Sequence, residues 1–278
     1  MRVQVNGLRL WFDVDGAALV PFGGEMRERP TVVLLHGGPG GYDHSYFKPD
    51  FERLREVAQV VYLDVSGHGR SALEDPRTWT FELAADSVRA FCDAVGIAAP
   101  IVYGHSLGAM IAATYAARHP RHAGALVLQS GMGRYDLQRI VDGFRRFGGD
   151  EVAAIAERSY GGTPPPVSAE EWERCRVVFG PRVLSDDERA RMLSVDLGDP
   201  ALERLRSFDV LEGLSAVACP TLVCVGELDP VTPVAAAEEL AAALPNARLE
   251  IVRGAGHWTW KDAPDDYWPL LTEFVSGV

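Results

Sequence analysis

Gly104-His105-Ser106-Leu107-Gly108 is the string in this sequence best suited to covalent chemistry. A G-x-S-x-G sequence between an apolar run and a helix is the form of a nucleophile elbow, whose glycines permit a sharp turn that lifts the serine hydroxyl off the backbone. Here Ile101-Val102-Tyr103 precedes it, and the small, apolar stretch Leu107 to Arg118 follows. A serine hydroxyl is a weak nucleophile at neutral pH and needs a base. There are seven histidines, and His257 has the best setting, in Gly254-Ala255-Gly256-His257 after the last strand pattern. His36 and His68 are expected to make structural hydrogen bonds, His105 to point away from substrate, and His119 and His122 to sit exposed at a helix end. The base needs an orienting carboxylate. Asp229, in Gly226-Glu227-Leu228-Asp229-Pro230, directly follows a strand pattern, and Asp136 is the second candidate. The order Ser106, Asp229, His257 suits an elbow-bearing fold. The glycine-rich string His36 to Gly41 then offers an oxyanion hole, formed by the N–H groups of Gly38 and Leu107. No Lys-Ser/Thr follows that loop and no G-x-G-x-x-G spacing occurs, which argues against a phosphate cradle. No H-x-x-x-H or H-x-E pattern is present, so neither a metal nor an organic cofactor is expected.

The elements that would carry these residues alternate. Hairpin strands at Val3 to Val5 and Leu8 to Val14 flank Asn6-Gly7, a turn signal. Pro21 to Pro30 reads as a loop. Continuous apolar runs at Thr31 to Leu35, near residues 57–64, at Ile101, at Ala125 to Ser130, at Thr221 and near Leu249 read as strands buried on both faces. Between them lie helical patterns: Phe81 to Val95 with Thr80 as N-cap, Leu107 to Arg118, Pro233 to Leu244 and Tyr267 to Val275. Such alternation predicts an α/β fold, a mostly parallel central sheet with helices on both faces. Residues 131–214 break the pattern. They hold helical signals and no convincing strand, with 12 Arg and 16 Asp plus Glu among 84 residues. We read them as a helical cap inserted after the sixth strand, residues 1–130 and 215–278 forming the core domain. Trp258 beside the histidine, and Tyr135, Phe144 and Trp172 from the cap side, are the expected substrate-binding residues.

Composition narrows the partners. The chain has 278 residues and a formal net charge of −12. That balance disfavours nucleic acid and anionic lipid, whose binding needs clustered basic residues. Only Lys48 and Lys261 are lysines, against 25 arginines. Cys92, Cys175, Cys219 and Cys224 form no C-x-x-C pair and suit a reducing compartment. No signal-peptide pattern opens the sequence, and no apolar run is long enough to span a bilayer. The expectation is a cytoplasmic protein, monomer or homodimer, acting on a small molecule.

In their order, HGGPGG, the Asp64 to Ser71 string, GHSLG, GELDP and GAGH make the chain similar to the α/β-hydrolase fold family across nearly its whole length. The resemblance implies a serine hydrolase acting through an acyl-serine. HGGPGG resembles the loop of proline iminopeptidases, but those enzymes usually carry a G-G-S-W-G elbow and a G-R-Y-D acid string, where this chain has GHSLG and GELD. Their caps bind the substrate amine with acidic residues, for which Glu151, Glu157, Glu170, Glu171 and Glu173 are the candidates here. GHSLG is more similar to esterases, lactonases and cofactor-free haloperoxidases. Dehalogenases and epoxide hydrolases need an aspartate where Ser106 stands. A small ester or lactone is therefore the expected substrate, with an N-terminal amino-acid amide as the alternative and a catalytically weak ligand receptor as a third reading.

Overall fold

A computed structural model describes residues 1–71, 73 and 75–278. Eight strands form one sheet: β1 (Arg2–Val5), β2 (Leu8–Asp15), β5 (Thr31–Leu35), β6 (Gln59–Leu63), β7 (Ile101–His105), β8 (Ala125–Gln129), β9 (Thr221–Gly226) and β10 (Ala247–Val252). Their spatial order is β1-β2-β6-β5-β7-β8-β9-β10. The first two strands pair antiparallel, β2 joins β6 antiparallel, and every other pairing is parallel. The runs Val32 to Leu35, Ile101 to His105, Ala125 to Gln129 and Thr221 to Gly226 are wholly buried. That is why these strands read as continuous apolar runs rather than alternating ones. The expected mostly parallel sheet with helices on both faces is what the chain forms.

Helix α1 (Phe81–Val95) starts at Thr80, whose side chain accepts from the Leu83 N–H, and ends at Gly96 in the left-handed region, φ 77°. It packs on α2 (Leu107–Arg118), which lies against β7 and β8. Ten of the twelve α2 residues are buried, so its small side chains serve close approach to the sheet. Farther on, α7 (Val234–Ala242) packs on β9 and β10, and the last helix (Pro264–Ser276) places the Tyr267 hydroxyl 2.7 Å from that of Tyr103 in β7.

Two expectations fail. The strand near Leu249, β10, is not buried on both faces, because it lies at the sheet's edge and buries only Val252. Residues 21–30 are not a plain loop, because β3 (Leu19–Phe22) and β4 (Glu25–Glu28) make a separate antiparallel hairpin. Its turn is Gly23-Gly24, both at positive φ, and no residue of either strand is buried. With no face to bury, it lacks the alternating pattern that marks a strand.

Between β8 and β9 the described residues form α3 (Leu137–Gly161, interrupted at Gly149), α4 (Ala169–Arg176), α5 (Asp186–Arg191), α6 (Gly198–Arg206) and a 3-10 turn at Leu211–Ala216. Apart from a single bridge between Arg134 and Asp209, no β-pairing is described there. No helix among the described residues is long and apolar enough to cross a membrane.

Candidate active site

The sheet order sets the site. Strand β5 lies between β6 and β7, so connections leave it in opposite directions, and such a switch point opens a crevice at the carboxyl ends of the strands. Leu35 pairs with Gly104. The loop after β5 and the turn after β7 therefore start side by side. Ser106 sits in that turn with φ 55° and ψ −120°, a backbone region that a non-glycine residue occupies only when its surroundings hold it there. The two glycines show what holds it. A Cβ on Gly104 would collide with the backbone of Gly108, and one on Gly108 with the Leu35 carbonyl. The G-x-S-x-G spacing is thus a packing requirement between β7, α2 and β5.

Asp229 follows β9 and is 1% exposed. Its Oδ1 accepts the N–H groups of Val231 (2.9 Å) and Thr232 (3.0 Å), and its Oδ2 accepts the Thr232 hydroxyl (2.8 Å). His257 follows β10, and its Nδ1 lies 2.8 Å from Asp229 Oδ2. Burial pushes the Asp229 carboxyl up. The His257 charge and the bonds from His257 and Thr232 outweigh it and leave the carboxyl below its ordinary range. An ionised Asp229 can only accept, so Nδ1 carries a proton, and the neutral tautomer of this imidazole presents its lone pair at Nε2. The elbow histidine reinforces this base. His105 does not simply point away. Its Nε2 donates to the His257 carbonyl (2.8 Å), and its Nδ1 lies 2.8 Å from the Tyr46 hydroxyl. Burial, then repulsion from His257, holds His105 well below the ordinary histidine range. It is therefore the neutral tautomer that donates from Nε2 and accepts at Nδ1. Ser130 Oγ also donates to the His257 carbonyl (3.2 Å), and the His257 N–H donates to the Phe179 carbonyl (2.6 Å).

Ser106 and His257 border one cavity of about 430 Å³ together with Gly38, Leu107, Trp258, Tyr135 and Trp172. Gly38 follows β5, and a Cβ there would fall 2.8 Å from Leu107 Cδ2. The Leu107 N–H is in the first turn of α2, where no helix carbonyl is in place to accept it. Phe144 is the exception among the expected lining residues. It is fully buried behind Tyr160 and Phe179, and its ring touches theirs. Those two residues face the cavity in its place. Asp136 is not near the base either. It caps α3, accepting the Arg139 N–H at 3.0 Å. His36 and His68 hold loop backbone, as expected.

Tyr42, Tyr46, Met132, Phe179 and Arg206 also border the cavity. Sequence reasoning did not single them out for a site, because nothing in their local patterns separates a wall residue from a core residue.

Asp43, His44 and Asp64 come together under the loop after β5, but their oxygens are engaged. Asp64 takes the N–H and Nδ1 of His44 on Oδ1 and the Arg70 N–H on Oδ2, and Asp43 takes the N–H groups of Ser45 and Leu193. The cluster is a brace for the loop.

Comparison with known proteins gives this geometry its context. Residues 30–165 match the family model described as alpha/beta hydrolase fold, and residues 206–265 match one described as TAP-like protein. The chain belongs to the α/β-hydrolase fold family. Relatives of similar length include a Caulobacter sp. (strain K31) protein with the provisional name carbamate hydrolase RutD, 29% identical over 95% of this chain and 97% of the relative. Another is the proline iminopeptidase of Thermoplasma volcanium, 23% identical over 99% of this chain and 95% of the relative. Among solved structures, VinJ superposes with a TM-score of 0.80 at 23% identity, over 100% of this chain and 98% of its own. At these identities the α/β-hydrolase likeness among structures fixes architecture and leaves substrate open.

Proposed function

We propose that this α/β-hydrolase cleaves a small carboxylic ester or lactone through an acyl-serine on Ser106. The observation that carries the reading is the cavity itself. Ser106 and an Asp229-oriented His257 open onto a mostly apolar space to which no described Asp or Glu contributes a wall. His257 Nε2 takes the Ser106 proton as Oγ attacks the carbonyl. Asp229 holds the imidazole tautomer and stabilises its cation. The N–H groups of Gly38 and Leu107 receive the oxyanion. Collapse of the tetrahedral intermediate passes the proton from His257 to the leaving oxygen, and His257 then activates water against the acyl-serine. Residues 131–214 act as the cap, supplying Tyr135, Trp172 and Phe179 to the wall.

The proline iminopeptidase relatives favour a second reading, in which the same groups cleave an N-terminal amino-acid amide. It needs a carboxylate for the substrate ammonium, and the expected ones are occupied or turned outward. Glu151 pairs with Arg174, Glu171 with Arg158 and Glu173 with Arg176. Glu157 and Glu170 are exposed on the surface. We therefore rank it second.

A panel of p-nitrophenyl acetate, a γ-lactone, a carbamate and proline 4-nitroanilide, run on wild type and Ser106→Ala, tests the assignment. The ester or lactone should turn over fastest, and the variant should lose at least about 10⁴-fold in kcat with an unchanged circular dichroism spectrum. Turnover retained by Ser106→Ala would refute the nucleophile. Proline 4-nitroanilide as the best substrate would move the reading to the amide.

A further inference from the structure

The cavity is lopsided in charge. Two arginines, Arg189 and Arg206, stand in its wall without an acidic residue beside them there. Arg189 is engaged: one terminal nitrogen donates to the Leu184 carbonyl and the other pairs with Asp186. Arg206, the last residue of α6, is half-engaged. Its Nε donates to the Tyr160 carbonyl at 2.9 Å, and the same carbonyl accepts the Tyr135 hydroxyl at 2.7 Å. No described residue accepts from either of its terminal nitrogens, and no described carboxylate pairs with it. The guanidinium packs against Gly162, where a Cβ would collide with it.

A cation at a helix C-terminus is favourable in itself, and the Nε bond to Tyr160 at the end of α3 accounts for that part. It leaves the bidentate edge of the guanidinium unused. A half-buried cation beside apolar walls loses hydration, and an anion that binds there restores the lost interaction. Guanidinium matches carboxylate in planar, two-bond fashion. A cavity of about 430 Å³ is at the small end for ligand sites, so the anion must belong to a short substrate.

We propose that Arg206 is a carboxylate-binding residue, and that the substrate is a short ester or lactone whose acyl part ends in a carboxylate remote from the scissile bond. The proposal rests on the ester or lactone reading above, and the experiment separates the two. Wild type, Arg206→Met and Arg206→Lys are assayed on the mono-p-nitrophenyl ester of adipate and on p-nitrophenyl hexanoate, which share chain length. Wild type should favour the carboxylate-ended ester by at least about tenfold in kcat/KM, through KM. The preference should shrink in about 0.5 M NaCl. Arg206→Met should bring the ratio to about one, and Arg206→Lys should fall between. A wild-type ratio near one, or a preference that survives in Arg206→Met, would overturn the carboxylate site. Adipate binding to Ser106→Ala, measured by calorimetry and lost in Ser106→Ala/Arg206→Met, reads the site without turnover. If neither ester is cleaved while that binding persists, the ester reading falls and the anion site stands.

Discussion

The sheet and the insertion above it are built by different means. Strands β5, β7, β8 and β9 hold their places by burial, and the groups after them are fixed by bonds to backbone. Asp229 accepts four bonds, and the His257 peptide is held by His105, Ser130 and Phe179. In the insertion, α4 and α5 bury only Cys175 between them. Their stability is local: capping boxes at Ser168/Glu171 and Ser185/Glu188, and arginine–carboxylate pairs along the helices. Exposed pairs of this kind contribute little. The difference teaches where precision is placed in this molecule. Groups that would move protons sit on stiff, buried elements. The wall residue Trp172 sits on α4, which buries a single residue, and local opening costs least where so little is buried.

Three experiments break or sharpen this contrast. The largest effect belongs to Asp229→Asn. An amide can donate to Nδ1 and favour the wrong tautomer, so kcat for the preferred ester should fall about 10⁴-fold with KM little changed. A loss below tenfold would mean that the base is oriented by something other than Asp229. Acid comes next. All seven histidines lie outside residues 131–214, and burial holds His68 down to about 3 and His105 well below the ordinary range. Both stay neutral in the folded chain and charge when it unfolds. Their contribution is complete above about pH 6.5 and declines as pH falls toward the folded values. Burial also lowers His36 and His122, so urea unfolding between pH 6 and 5 should reveal uptake of at least about two protons, a loss near 1.4 kcal/mol per pH unit for each imidazole that charges. Uptake near zero would show that acid does not act through the sheet-borne histidines.

The smallest effect concerns the tie between the regions. Lys261 reaches both Asp50 and Glu188 of α5 at 2.6 Å. Lys261→Met should speed hydrogen exchange of residues 186–195 by about tenfold and leave the amides of β7 and β9 unchanged. An equal rise in both would show that sheet and insertion open as one unit.

Much of the sheet was legible because fully buried parallel strands leave continuous apolar runs, and the elbow because Gly104 and Gly108 are demanded by backbone contact. Asp229 could be picked because it follows such a run, β9, and His257 because it lies in a glycine-flanked loop after the last strand pattern. The β3–β4 hairpin was not, although Gly23-Gly24 is a turn signal, since it buries nothing. Phe144 was misplaced and Arg206 overlooked for a common reason. Which side of an insertion helix faces the cavity depends on how α3 and α6 meet the sheet, and periodicity carries no record of that. The two lysines gave no hint either. Lys48 bridges Asp13 and Asp15 as Lys261 bridges Asp50 and Glu188, pairings visible only in three dimensions.

One joint between the regions bears on engineering. The Val195 N–H donates to the Gly40 carbonyl at 2.8 Å, a Cβ on Gly40 would press on the Val195 carbonyl, and Leu193 donates to Asp43. The glycine-rich loop after β5 is thus clamped by two residues of the insertion, Leu193 and Val195. Transplanting residues 131–214 from another scaffold would import new walls and remove that clamp in the same stroke. A chimera meant only to change selectivity would keep its rate only if the graft retained the 193–195 backbone, which makes that tripeptide the natural splice point for recombining such proteins.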